Sequence, residues 1–303
     1  MKNKIYLLIH GPYEGNAYQE IFEHLRRLGK HDREKLSVIA VVYQADREKT
    51  MRCLQKIGLL DEMRLVFVKD LINPGFYNIN RQIHTVQSGL KKITENAFVI
   101  KLRNDQWVDF PKLFHIFKKL SWLKEDREMI ITTNCYTRKD RLYHPSDMFL
   151  CAWKEELVQY YSCPLQTITH VGQMMELSEL TKKDQKQWNQ KFVCPEILLA
   201  KNYLKQKGWH FRYTKSDSYE ALRRYFLLLN SWEIGLRWKK KRNPLLGAGS
   251  IILPCYFDLA PFQGAPIERA RCYTAADFGR RMTRKDKYYL FLTKVLFGFR
   301  FYS

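Results

Sequence analysis

Short apolar segments alternate with amphipathic segments over the first third of this 303-residue chain. The apolar segments have the length and composition of strands and cover residues 5–9, 36–43, 63–68 and 97–102. The segments between them have helical spacing and cover residues 17–28, 48–57 and 80–95. Parallel neighbouring strands need a crossover connection, which is usually a helix. The alternation therefore predicts an α/β fold with a mainly parallel sheet and helices on both faces.

The pattern is less regular in the second half. Helical spacing predicts helices over residues 111–122, 155–161 and 195–206, and apolar runs predict strands over residues 129–134 and 147–152. From residue 221 onward, basic and aromatic residues interleave. We therefore predict an α/β domain over residues 1–220 and a basic, aromatic-rich C-terminal extension over residues 221–303.

The formal net charge of +21 implies an anionic partner. Three interpretations of the basic extension compete: a solvated surface that only maintains solubility, a nucleic-acid patch, and a membrane-surface element. No nucleic-acid-binding motif accompanies the charge, so we expect no nucleic-acid partner. Aromatic residues interleaved with Lys and Arg favour contact with an anionic membrane surface.

The cysteines and the N-terminal segment favour a cytoplasmic location. The chain has seven cysteines, an odd number, and they are scattered without a C-x-x-C pair. A disulfide framework or a zinc site is therefore not expected. The apolar run over residues 5–9 is too short for a signal peptide, and no run has the length of a membrane span.

Polar segments follow three of the predicted strands, over residues 11–16, 44–46 and 103–105. Ligands of parallel sheets bind at the carboxyl ends of the strands, so we expect these segments to lie together. Gly11, Pro12 and Tyr13 would hold the base or the diphosphate of a nucleotide. Their segment matches neither a G-x-x-x-x-G-K-[ST] nor a G-x-G-x-x-G motif.

The segment from Asn78 to Asp105 carries the strongest local signal. A polar helix start is followed by Gly89, an apolar strand and an acidic turn, which is an order typical of a nucleotide-sugar site. Asp105 would bind a divalent cation that neutralises the leaving diphosphate. Arg81 would reach the phosphates with its planar guanidinium, and Gly89 would let the helix pack closely on the strand.

Two alternatives stay open for this segment. In a structural interpretation, Arg81 and Asp105 form an ordinary ion pair in a strand–helix–strand unit. The second alternative concerns the metal. Arg103 stands where a second carboxylate of an Asp-x-Asp pair would lie, so Mn²⁺ or Mg²⁺ at Asp105 and a metal-independent mechanism are both retained.

Two carboxylates of the second half are candidates for the chemistry. Asp147, with Ser146, would hold sugar hydroxyls at the wall of a pocket, or it would satisfy backbone amides in a turn. Glu196 opens a helix, where a negative charge is favoured by the helix dipole and a plain capping role is the default. The functional interpretation makes Glu196 the general base that deprotonates an attacking hydroxyl.

The sequence resembles the WavE lipopolysaccharide-synthesis family of bacterial glycosyltransferases. The residues that carry the resemblance span residues 5 to about 210 in the family's order: His10-Gly11-Pro12-Tyr13, Asn80-Arg81-Gln82-Ile83, Ser88-Gly89-Leu90, Lys101 to Asp105, Ser146 to Phe149 and Pro195-Glu196. The acidic turn usually reads K-x-R-S-D in this family, and Asn104 stands here where Ser is usual. The segment after Phe149 also departs from the family pattern.

The resemblance implies a GT-A-like fold, a nucleotide-sugar donor, and a lipopolysaccharide, lipooligosaccharide or capsule acceptor that is lipid-linked. Together with the basic, aromatic-rich extension, a lipid-linked acceptor predicts a cytoplasmic protein that lies peripherally at the inner face of the bacterial inner membrane. The donor-binding residues on this basis are Gly11, Pro12, Tyr13, Asn80, Arg81, Arg103 and Asp105, and the catalytic residues are Glu196 and Asp147. The alternative function is a scaffold without catalysis that binds nucleic acid or a membrane.

Overall fold

The computed structural model describes residues 4–12, 17–120, 128–138, 141–167 and 194–238. Its strands are β1 Ile5–His10, β2 Leu36–Tyr43, β3 Arg64–Val68, β4 Phe98–Arg103, β5 Gln106–Trp107, β6 Ile130–Thr133, β7 Leu150–Trp153, β8 Phe226–Leu229 and β9 Arg237–Trp238. Its helices are α1 Ala17–Leu25, α2 Lys30–Glu34, α3 Arg47–Lys56, α4 Ile79–Leu90, α5 Phe110–Lys119, α6 Lys154–Tyr160, α7 Pro195–Gln206 and α8 Lys215–Tyr225. None of the helices within these ranges has the length and apolar character needed to cross a bilayer.

Seven strands form one sheet in the order β3-β2-β1-β4-β7-β6-β8. The pairs β1–β2, β1–β4, β2–β3 and β6–β8 are parallel, and β7 is antiparallel to both β4 and β6. A separate antiparallel pair joins β5 to β9. The mainly parallel sheet confirms the predicted α/β fold class.

Apolar side chains cover both faces of the sheet. Leu7 and Ile9 of β1 belong to a buried cluster that includes side chains of α1 and α5. Leu8 points to the opposite face, into a cluster with side chains of α4, α6 and α7. Because apolar clusters cover both faces of the sheet, its central strands are continuous apolar runs with little polar alternation.

The register of the sheet aligns the carboxyl ends of β1, β2 and β4. His10, the last residue of β1, lies opposite Val41 of β2 and Arg103 of β4. The three polar segments were predicted to lie together. Their described residues follow β1, β2 and β4, which end side by side. Tyr13 and the rest of the first segment lie outside the described residues.

Among the elements whose bounds differ from the prediction, α4 and β7 are close to the site. α4 ends at Leu90, because the amides of Lys92 and Ile93 turn back to the carbonyls of Gly89 and Leu90. β7 begins only at Leu150, although the apolar run starts at residue 147. The carbonyls of Asp147 and Met148, just before β7, accept hydrogen bonds from the Lys101 side chain.

α8 and β8 were not predicted. β8 is fully buried and pairs with β6 over its whole length, so the sheet extends beyond residue 220 to Leu229. Three aromatic residues of the predicted extension are buried in the core, namely Tyr225, Phe226 and Trp238. These side chains therefore do not contact a membrane surface. The remaining basic extension, residues 239–303, lies outside the described residues, and its membrane contact stays a prediction.

Gly89 lies where α4 packs on the sheet. A Cβ atom placed on Gly89 would meet Leu8 Cδ1 at 2.3 Å and Val41 Cγ2 at 2.9 Å. Both atoms belong to buried side chains of central strands, which leaves little room for them to move. The predicted close packing of this helix on the sheet is confirmed.

We expect Gly89→Ala to lower the free energy of unfolding by about 1–3 kcal/mol, the usual cost of an added carbon in a packed core. Gly29→Ala is the control, because a Cβ at Gly29 meets nothing within 4 Å. Urea unfolding of both variants measures the difference. Equal stabilities of the two variants would contradict the close approach of α4 to the sheet.

Candidate active site

The loop after β1 is held against the end of β4. Gly11 has φ of 129°, and a Cβ there would meet Asn104 Oδ1 at 2.8 Å. The Asn104 side-chain amide donates a hydrogen bond to the Pro12 carbonyl, and its backbone amide donates to the His10 carbonyl at 3.0 Å. Asn104, which departs from the family pattern, therefore fixes the position of Gly11 and Pro12.

Arg103 and Asp105 pair with each other in the turn after β4. Arg103 donates to both carboxylate oxygens of Asp105, at 3.0 Å from Nε and 2.7 Å from a terminal nitrogen. Trp238 Nε1 donates to the same carboxylate at 2.8 Å, and the Arg103 guanidinium lies over the Trp238 ring. Asp105 is only 9% exposed. The alternative ion pair between Arg81 and Asp105 is not formed.

This arrangement makes Asp105 a poor ligand for Mn²⁺ or Mg²⁺. Both cations prefer several oxygen ligands. The Asp105 carboxylate already accepts three hydrogen bonds, two from the Arg103 guanidinium and one from the Trp238 indole. A divalent cation at Asp105 would also lie beside the positive charge of Arg103. The donor set does not fit the predicted metal.

Asn80 and Arg81 hold the backbone around the start of α4. Arg81 forms a bidentate ion pair with Asp70, at 2.7 and 2.5 Å, and a third bond to Asn78 Oδ1 at 3.0 Å. Asn80 is buried, and its side-chain amide exchanges hydrogen bonds with the Gln166 backbone at 2.7 and 2.6 Å. Asn80 and Arg81 were both predicted to contact the sugar donor, and in the described structure both form hydrogen bonds within the protein.

Lys101 is a site residue that the sequence analysis did not single out for a role. It is 0% exposed, and its Nζ donates to the carbonyls of Asp147, at 2.5 Å, and Met148, at 3.3 Å. Burial lowers the pKa of Lys101 to about 7, against the opposing effect of the Asp147 charge. The signal was present in the sequence as a lysine inside the apolar run over residues 97–102.

His10 lies beside Lys101 at the end of β1. Its Nδ1 hydrogen-bonds with Thr85 Oγ1 of α4 at 3.1 Å. Burial holds the pKa of His10 well below its usual range, and the positive charges of Lys101 and Arg103 lower it further. The imidazole is therefore neutral at pH 7 and joins β1 to α4.

Asp147 and Glu196, the two candidate catalytic carboxylates, lie close enough for their charges to interact. Burial and, next to it, the charge of Asp147 together raise the pKa of Glu196 to about 7. Three groups act in the opposite direction: the backbone amide of Glu196, the Cys194 thiol and the charge of Arg141. A carboxyl that titrates near neutrality has the property needed for a general base. Arg141 and Cys194 were not predicted.

The turn that carries Asp147 is fixed from several sides. The Ser146 amide donates to Thr137 Oγ1 at 2.9 Å, and the Ser146 hydroxyl accepts from the Met148 amide at 3.3 Å. The Tyr143 amide donates to Ser218 Oγ of α8 at 2.7 Å, and its hydroxyl donates to the Asp217 carboxylate. Ser146 is fully buried. It therefore positions Asp147.

His144, Cys194 and Glu196 form a cluster of metal-ligand types near this turn. One ligand atom of each residue lies within 4.8 Å of the others. Imidazole, thiol and carboxylate together suit zinc-like ions and not Mn²⁺ or Mg²⁺. Burial and the Glu196 charge raise the pKa of Cys194 well above its usual range, so the thiol stays protonated.

The mainly parallel sheet, with its polar groups gathered at the ends of β1 and β4, gives the protein the fold class of GT-A-like glycosyltransferases. The chain belongs to the WavE lipopolysaccharide synthesis family, whose model matches residues 67–236, more than half of the chain. The predicted family is confirmed. The matched region includes Asn80, Asp105, Asp147 and Glu196.

Three solved structures resemble parts of the chain. The mannosyltransferase PcManGT from Pyrobaculum calidifontis, in complex with GDP-Man and Mn²⁺, is 14% identical with a TM-score of 0.38, and the match covers 54% of this chain and 47% of that one. TarS 1–349 of S. aureus is 13% identical with a TM-score of 0.33, and the match covers 51% and 48% of the two chains. A second S. aureus TarS structure is 10% identical with a TM-score of 0.35, and the match covers 66% and 33%. The chain thus spans less than half the length of each of these three solved structures. A search of the curated proteins found no match.

We expect Asp147→Asn to lower the pKa of Glu196 from about 7 toward its usual range, because the substitution removes a neighbouring negative charge. An NMR titration of ¹³C-labelled glutamate carboxyls measures this shift. Asp61→Asn is the control, since Asp61 is exposed on another part of the chain. An unchanged titration of Glu196 in the Asp147 variant would show that the two carboxylates do not interact.

Proposed function

We propose that the protein is a glycosyltransferase that moves a sugar from a nucleotide-sugar donor to a lipopolysaccharide, lipooligosaccharide or capsule acceptor. The observation that carries the proposal is the position of Glu196 in the first turn of α7, where burial and the neighbouring Asp147 raise the pKa of its carboxyl. Membership of a lipopolysaccharide synthesis family supports the choice of acceptor.

Glu196 is the proposed general base. Its carboxylate accepts the proton of the acceptor hydroxyl while the acceptor oxygen bonds to the anomeric carbon of the donor sugar. The bond between that carbon and the phosphate oxygen breaks, and the nucleotide diphosphate leaves. Asp147 holds a sugar hydroxyl and, through its charge, keeps the pKa of Glu196 near neutrality.

The donor is proposed to bind at the ends of β1 and β4. The backbone of Gly11 and Pro12 lines this place, and Tyr13 belongs to the same segment. The Arg103 side chain is 40% exposed. Its guanidinium supplies positive charge to the diphosphate, and Asp105 orients the guanidinium. Asn80 and Arg81, proposed from sequence as donor contacts, are here assigned the role of holding the loop before α4.

The acceptor class also suggests where the enzyme works. A lipid-linked glycan is presented at a membrane, so we propose that the protein acts from the cytoplasm at the inner face of the bacterial inner membrane. The net charge of +21 supports attraction to anionic lipid headgroups.

We expect Glu196→Gln to lower kcat by about 10²–10⁴, the usual contribution of a general base, without unfolding the protein. In the unaltered enzyme, transfer should fall as the pH drops below about 7, because protonated Glu196 cannot accept a proton. Glu155→Gln makes the same chemical change at an exposed site and should leave both properties unchanged. Transfer at the normal rate by the Glu196 variant would refute the assignment.

We further expect transfer to survive removal of divalent cations, because Asp105 is engaged by Arg103 and Trp238. Enzyme dialysed against EDTA should retain its activity, whereas Asp105→Asn should lose transfer while remaining folded, since Arg103 loses its orienting partner. Loss of activity in EDTA that Mn²⁺ or Mg²⁺ restores would overturn the metal-independent mechanism.

A further inference from the structure

The segment that follows β8 folds back onto the chain just after β4. β9 pairs antiparallel with β5, and Trp238 lies opposite Gln106. The Asp109 amide donates to the Ile234 carbonyl at 2.9 Å. Gly235 has φ of 57°, and a Cβ placed there would meet the Asp109 Cβ at 2.8 Å. These backbone contacts hold β9, and with it Trp238, beside the turn that carries the donor-binding charges.

Trp238 contacts both members of the ion pair in that turn. Its Nε1 donates at 2.8 Å to Asp105 Oδ2, the same oxygen that accepts from Arg103 Nη2 at 2.7 Å. The Arg103 guanidinium lies over the Trp238 ring, 5.8 Å from its centroid, which is within the range of a cation–π interaction. Trp238 is buried, and the Tyr136 ring packs edge-on against it with centroids 5.8 Å apart. The indole therefore has little freedom to move.

The carboxylate and the indole together fix the plane of the guanidinium. Asp105 binds the edge that Nε and Nη2 form, and Trp238 covers one face. The third nitrogen, Nη1, donates to no residue in the described ranges, and the side chain is 40% exposed. A guanidinium binds phosphate oxygens through two neighbouring nitrogens of its planar fork. The edge that Nη1 and Nη2 form is thus oriented for an anion by contacts on another edge and on a face.

We propose that Trp238 is a positioning residue for the donor: it holds Asp105 and Arg103 so that Nη1 and Nη2 meet the diphosphate. This inference rests on the proposed function. A free arginine side chain loses rotamer entropy when it binds a ligand, and a side chain that is already oriented loses less. Trp238 thereby strengthens donor binding through Arg103, without itself touching the donor.

Calorimetry of the full chain with inorganic pyrophosphate at physiological salt tests the proposal. Trp238→Phe keeps an aromatic ring and removes the N–H donor, so we expect it to weaken pyrophosphate binding by about fivefold. Arg103→Gln should weaken binding by about tenfold or more, because it removes the fork itself. Adding Trp238→Phe to Arg103→Gln should cause no further loss, since Trp238 acts through Arg103.

The control is Arg52→Gln, which removes one positive charge from an arginine that is 80% exposed on α3. It should bind pyrophosphate like the unaltered protein. Urea unfolding shows whether Trp238→Phe is folded. Unchanged pyrophosphate binding by folded Trp238→Phe overturns the role of Trp238. An equal loss with and without Arg103 also overturns it, because such additivity describes a residue that only supports the fold.

A measurement on the unaltered protein does not depend on any variant. In a ¹⁵N NMR spectrum, the Trp238 indole N–H signal should shift when pyrophosphate is added, because the anion changes the ion pair to which the indole is bonded. Trp153 is the internal control, since it lies opposite Phe98 at the start of β4 and its signal should stay in place. A Trp238 signal that does not move at saturating pyrophosphate contradicts the proposal.

Sugar-transfer kinetics separate this role from the proposed function. We expect Trp238→Phe to raise the donor KM by about fivefold and to leave the acceptor KM unchanged. If the unaltered enzyme transfers no sugar, the proposed function fails, and the pyrophosphate measurements still decide the role of Trp238. If it transfers sugar and the variant has an unchanged donor KM, the role of Trp238 alone is refuted. Absence of pyrophosphate binding by the unaltered protein refutes that role as well.

Discussion

The candidate site depends on a lysine buried in the middle of the sheet. Lys101 is fully buried in β4, where an uncompensated ammonium would cost several kcal/mol. Its Nζ is compensated by the carbonyls of Asp147 and Met148 and by the charge of Asp147. These bonds fix the turn in which Asp147 lies. The carboxylate that interacts with Glu196 thus owes its position to a side chain 46 residues earlier in the chain.

The charges of the site are divided between two groups. In the first, Asp105 accepts from Arg103 and Trp238, and the result is an ion pair that leaves part of the guanidinium exposed to solvent. In the second, Asp147 and Glu196 lie close together, and burial together with like charge keeps the pKa of Glu196 high. The first group suits the binding of an anion and the second suits proton transfer. One fold thereby provides both properties at one edge of its sheet.

Local patterns predicted the first half of the fold and missed part of the second. The strands and helices up to β4 follow from periodicity, since each segment is apolar enough to be recognised alone. β8 was missed because Arg223 and Arg224 precede it, and their charges made the buried Tyr225 and Phe226 resemble a surface segment. The same error hid α8, whose Asp217 and Ser218 hold Tyr143 in the turn before Asp147.

The site was predictable in its location but not in its pairings. Register aligns the ends of β1 and β4, so the order of motifs along the chain was enough to bring Gly11 near Arg103. The partner of each charge was not accessible in the same way. Trp238 reaches Asp105 across 133 positions, and Arg81 turns to Asp70 instead of the site. Contacts between residues so far apart in sequence follow from the packed fold and leave no periodic signal in the sequence.

Backbone strain is concentrated in the segments that surround the site. The described non-glycine residues with positive φ are Tyr77, Asn78, Tyr136, Tyr143 and Tyr213. Tyr136 packs edge-on against Trp238, which binds Asp105, and the Tyr143 hydroxyl accepts from the Tyr213 amide in the support of the Asp147 turn. Such conformations persist only where surrounding contacts determine them. The aromatic side chains supply those contacts here, because each rigid ring gains packing that offsets the cost of its backbone. The fold therefore tolerates strain next to the contacts that hold Asp105 and the turn of Asp147.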